Sequence, residues 1–119
     1  MKRLLFCVLL LAACNREDKA QSAAMTGGDP DRGKQVLVRY GCIACHNIPG
    51  VKGPRGMVGP PLEHIASRTL IAGKFQNTPQ TMIQWLQNPQ AMDPNNAMPN
   101  LGITPDDAQD IAAYLYTLE

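Results

Sequence analysis

Large side chains are scarce in this chain. Its 119 residues include one Trp, two Phe and three Tyr. A core so short of bulky residues gains from a bulky apolar cofactor to fold around. Cysteine is sparse as well, with four in all, too few for a disulfide framework once their places are considered. The longest apolar run, Leu4 to Ala13, is about ten residues, too short to cross a bilayer as a helix. Acids are nearly missing from the middle. Between Arg32 and Lys74 the bases are Arg32, Lys34, Arg39, Lys52, Arg55, Arg68 and Lys74, against the single acid Glu63. Bases are then absent from Phe75 to Glu119, where five acids lie. This segregation predicts an electric dipole, which steers partners and says nothing of fold. The length holds one domain.

What is present begins with a basic Met1-Lys2-Arg3 and the apolar run, the pattern of a secretory leader over residues 1–13. The run ends in Leu11-Ala12-Ala13-Cys14, which resembles the lipobox of bacterial lipoproteins. That resemblance implies a diacylglyceryl thioether on Cys14 and anchoring by two or three acyl chains. Plain cleavage before Cys14, giving a soluble periplasmic protein, is the alternative. Removing Lys2 and Arg3 takes 11 bases to 9 against 10 acids, a mature charge of −1. Residues 14–28 read as the lipidated Cys and a flexible polar linker ending in Thr26-Gly27-Gly28. Residues 29–119 form the domain.

Three helix starts share one device, a capping residue followed by Pro: Asp29-Pro30, Thr78-Pro79 and Thr104-Pro105. They predict helices over about 30–40, 79–88 and 105–118, with a shorter one over 62–68. Gly41 stops the first and Pro89 ends the second. No stretch alternates well enough for a strand. The fold class is all-α with long Gly- and Pro-rich loops at 49–61 and 88–104, and such loops need a function or something to wrap.

The chemistry lies in Gly41-Cys42-Ile43-Ala44-Cys45-His46. A redox dithiol needs a βαβ context, and none is visible. A zinc site needs four ligands, and only a distant His64 could complete one. Attachment of a c-type haem uses every residue: Cys42 and Cys45 form thioethers to its vinyl groups, and His46 is placed under the iron. One motif predicts one haem c. The sixth ligand would come from later in the chain. Met82 fits the inner side of a helix and reads as core. Met57 is too close to His46 in the chain. Met98, in Asn96-Ala97-Met98-Pro99-Asn100, is the expected ligand, with Met92 and His64 behind it.

With those residues in place, residues 28–119 resemble the class I (mitochondrial-type) cytochromes c. Gly33-Lys34, Leu37, Gly59-Pro60-Pro61-Leu62, Leu86-Gln87-Asn88-Pro89, Met98 with Leu101-Gly102-Ile103, and Asp110 to Leu115 carry the likeness. It implies the fold of that class, three main helices and long loops around one covalent haem. It also implies that the Pro60 carbonyl accepts the His46 ring N–H. The chain departs from the class in having Leu37 where an aromatic is common and Trp85 where mitochondrial members have Tyr. Trp85 could line the Met side of the haem, reach a propionate or fill the core, and Arg68 could pair with a propionate or be solvated.

The expected function is electron transfer without catalysis: a carrier between membrane respiratory complexes, such as a quinol–cytochrome c reductase and a terminal oxidase, on the periplasmic side of a bacterial membrane. Cys14 also gives a likeness to the small lipid-anchored cytochromes that serve terminal oxidases. Arg39, Lys52 and Arg55 would rim the exposed haem edge. The alternatives are a fixed subunit of an oxidase or reductase, and a haem sensor or peroxidase with an open distal site.

Overall fold

The computed structural model describes the backbone of residues 2–119 and the side chains from residue 13 onward. The expected leader therefore lies, but for Ala13, outside the described side chains. Among the described residues five helices follow in order: α1 (Lys2–Thr26), α2 (Pro30–Arg39), α3 (Pro79–Gln87), α4 (Pro89–Met92) and α5 (Pro105–Leu115). Single 3₁₀ turns lie at Cys42–Ala44 and Ile65–Ser67. A two-stranded antiparallel ladder pairs β1 (Leu70–Ile71) with β2 (Phe75–Gln76).

The predicted caps form. Asp29 accepts from the amides of Asp31 and Arg32, Thr78 from that of Thr81, and Thr104 from that of Asp107. Asn88-Pro89 repeats the device a fourth time: Asn88 accepts from the Ala91 amide and starts α4. The sequence had treated Pro89 only as a stop. The 62–68 helix shrinks to one 3₁₀ turn, and α5 ends three residues early.

Two readings are corrected. Residues 15–26 are helical rather than a flexible linker. Ala20, Ala23 and Ala24 favour helix, and the buried face is built from small polar residues that a search for an apolar period passes over. Ser22 is 1% exposed and Thr26 5%. Their hydroxyls bond back to the carbonyls of Lys19 and Ser22, so no donor is left unmet. Lys19 also pairs with Asp31 at 2.7 Å. The strands were missed because a two-residue ladder has too little length to alternate. Ala72 and Gly73, both at positive φ, close its turn.

The core sits around α5. Val36 and Leu37 of α2, Met82, Trp85 and Leu86 of α3, and Ala108, Ile111, Ala112 and Leu115 of α5 are buried together. A Cβ on Gly33 would collide with the backbone carbonyl of Asp110, so glycine lets α2 lie directly on α5. Arg32 bridges Asp107 and Asp110, and the Tyr40 hydroxyl donates to Asp107 at 2.6 Å. These bonds depress the Asp107 carboxyl below its ordinary range, the Tyr40 hydroxyl first and Arg32 second. The pairings also draw the basic middle and the acidic end of the chain together. Among the described residues, Lys34, Arg39, Lys52 and Arg55 keep no ion pair.

Candidate functional site

Gly41, at φ 78°, ends α2 and turns the chain into the Cys42–Ala44 turn. The amides of Cys45 and His46 both donate to the Cys42 carbonyl, at 3.3 and 3.0 Å. Cys42, Cys45 and His46 thus share one tight turn. Both thiols are free and half-buried. Burial pushes the Cys42 thiol up to about 11, so an unattached thiol there is neutral at pH 7.

The loop after the motif folds back on it. Gly56 donates to the Ile43 carbonyl at 3.2 Å, Gly59 to that of Cys45 at 2.8 Å, and Leu62 to that of Asn47 at 2.9 Å. This return brings the Pro60 carbonyl to His46. Their separation, Nδ1 to oxygen, is 2.7 Å. A carbonyl can only accept, so Nδ1 carries a proton and points at Pro60, which leaves Nε2 as the ring nitrogen open to a metal. The ring lies close over Gly59, where a Cβ would come 2.7 Å from Nδ1. Arg68 donates to the carbonyls of Pro61 and Glu63. It is half-buried and braces this loop rather than standing in solvent.

Met98 arrives on the second long loop, half-buried and packed against the core. The side chain of Gln90, on α4, donates to the carbonyls of Asn96 at 3.0 Å and Met98 at 2.8 Å. Asn96 accepts from the Met98 amide at 2.6 Å and donates to the Pro89 carbonyl at 3.1 Å. Lys74, beside the hairpin turn, holds Asp93 at 2.8 Å and lowers its carboxyl from the ordinary value. None of these supports was singled out from sequence. The Asn88-Pro89 cap was the signal that an ordered turn precedes Met98.

The other candidates separate. Met82 is buried in the core, Met92 is half-buried, and Met57 is 93% exposed. His64 is exposed at φ 57°. Trp85 is buried and stacks at a tilt on Phe75, ring centroids 5.9 Å apart. Among the described residues, no three His, Cys, Asp or Glu side chains gather to hold a bare metal ion.

The donors fit a haem held by thioethers: two thiols on one turn, an imidazole with Nε2 free, and a methionine on a braced loop. The surface agrees. Val58 is 77% exposed beside Pro60, and Leu101 is 37% exposed just after Met98, apolar area that an apolar cofactor would cover. The sequence model of the cytochrome c family matches residues 30–119. The chain belongs to the cytochrome c family. Haem c bound covalently, and electron transfer through it, follow from that membership. The helical architecture is that of the class I cytochromes c, as the sequence led one to expect. This cytochrome is also 30% identical over 90 residues to cytochrome c oxidase subunit 2 of Alkalihalophilus pseudofirmus. The match covers 75% of this chain and 25% of that protein, so the chain spans about a quarter of its relative.

Proposed function

We propose that this cytochrome is an electron carrier with a single haem c, attached through Cys42 and Cys45, with His46 and Met98 as axial ligands. The haem supplies a one-electron iron couple, and the chain binds it, orients it and sets its potential. The observation that carries the reading is the bond from His46 Nδ1 to the Pro60 carbonyl. It leaves Nε2 for iron and raises the basicity of the ring. Methionine opposite histidine raises the potential and suits a carrier. No substrate is turned over, so the protein is not an enzyme.

The partners proposed are membrane respiratory complexes, a quinol–cytochrome c reductase as donor and a terminal oxidase as acceptor. The relative's being an oxidase subunit favours the oxidase. Arg39, Lys52 and Arg55 are exposed and, among the described residues, without ion pairs, which suits an acidic docking face, and salt would slow such an encounter. Cys14 is exposed on α1. A lipid there would hold the domain at the periplasmic side of a bacterial membrane. The helix from Cys14 to Thr26 would then act as a strut of about 18 Å at 1.5 Å per residue. Among the described residues, no helix is long and apolar enough to cross a membrane. The same relative favours a second reading, a fixed oxidase subunit.

The test is the optical spectrum of the purified protein, oxidised, reduced and under CO, beside Met98→Ala. A far-red Met–Fe(III) band that is lost in Met98→Ala, with no prompt CO binding, is expected. A missing band with rapid CO binding would point instead to a sensor or peroxidase. Size-exclusion in mild detergent separates a free carrier, which elutes alone, from a fixed subunit.

A further inference from the structure

The loop that presents Met98 is held from one side chain. Gln90 has two N–H bonds on Nε2, and both are used, one on the Asn96 carbonyl and one on the Met98 carbonyl. Its own backbone amide donates to the Asn100 side chain at 3.2 Å. One residue of α4 thus reaches the chain before, at and after Met98. Asn96 completes the frame through the Met98 amide and the Pro89 carbonyl. Both polar backbone groups of Met98 are therefore fixed, its amide by Asn96 and its carbonyl by Gln90. Only its side chain is left to choose a direction. Gln90 itself is held in place because Pro89 is buried and Asn88 caps the turn.

We propose that Gln90 is the positioning residue for the axial methionine, holding the Met98 backbone so that its thioether meets the iron without a search. The inference rests on Met98 being the ligand. A loop fixed in advance loses little entropy when its sulfur binds, whereas a loose one loses more and yields more readily to a competing ligand. Gln90 acts through Met98 and touches no reacting atom.

The experiment uses the full-length holoprotein and imidazole as the competing ligand for the oxidised iron, followed by loss of the far-red band. Gln90→Glu keeps the shape and removes both donors. Gln90→Met removes them without adding charge. Gln84→Glu, on the exposed side of α3, controls for the charge. Loss of two hydrogen bonds predicts imidazole affinity about tenfold higher in both Gln90 variants, with helix content by circular dichroism unchanged and the control like wild type. Wild-type imidazole affinity in both variants, with the band still lost in Met98→Ala, overturns the role of Gln90 and leaves the ligand intact. A band that survives Met98→Ala overturns the ligand, and the inference with it. Should Gln90→Glu fail to take up haem, Gln90→Met alone decides.

Discussion

Gly33 and Asp110 meet backbone to backbone where α2 crosses α5. No side chain fits between them, because a Cβ on Gly33 would overlap the Asp110 carbonyl. Gly33→Ala must push the helices apart, and overpacking of this kind costs about 3 kcal/mol. In a domain of this size that lowers the thermal midpoint by roughly 10 °C or more. Differential scanning calorimetry of the holoprotein checks it; an unchanged midpoint would mean that the crossing is looser than described.

Asp107 should contribute to the acid limb of stability, beside Asp93. Its carboxyl is depressed by the Tyr40 hydroxyl and then by Arg32. A depressed carboxylate contributes stability that is complete above the ordinary carboxylate pKa of about 4 and is lost as pH falls toward the folded value. Asp107→Asn should be less stable at pH 7 and should lose less on going to pH 2. Parallel acid limbs in urea titrations of the two proteins would contradict the assignment.

At the alkaline end burial raises the phenols of both Tyr114 and Tyr116; Tyr116 is the one whose hydroxyl bonds to a side chain. Burial pushes its phenol up to about 12, and its hydroxyl donates to Asn77 at 2.6 Å. Asn77 in turn donates to the carbonyls of Ile65 and Arg68. A raised phenol contributes stability that is complete below the ordinary pKa of about 10 and is lost as pH rises through about 12. Tyr116→Phe should cost about 1 kcal/mol at pH 7 and flatten the fall above pH 10, as followed by denaturant midpoint against pH.

Gly59→Ala addresses the proximal ligand. The added methyl would crowd the His46 ring and lengthen its bond to Pro60. A less basic imidazole stabilises ferric iron less, so the reduction potential should rise. A redox titration showing no change would separate the ring's orientation from the potential.

Much of this was legible beforehand because the signals were local. The Cys42–His46 spacing, the Pro-started helices and the Gly59-Pro60 stretch each act within a few residues, and each does what its chemistry requires. What was hidden depends on contacts distant in sequence or on small polar residues. Ser22 and Thr26 pack although neither is apolar, so a helix read as a linker. Arg68 spends its guanidinium on loop carbonyls that lie five and seven residues before it. Gln90 is an ordinary glutamine until the Asn96–Met98 loop curls over it. The charges kept apart in sequence are partly rejoined in space, since Arg32 and Lys74 find their acids across the fold.

The meeting of α2 with α5 also bears on folding. The two helices come from opposite ends of the domain: Arg32 and Asp110, which meet across the contact, lie 78 residues apart in sequence. Contacts of such separation carry a loop-closure cost and slow folding. Cys42, Cys45 and His46 sit just past the end of α2, so in a chain where that contact is still unmade the motif should be open to reagents that the folded domain keeps out.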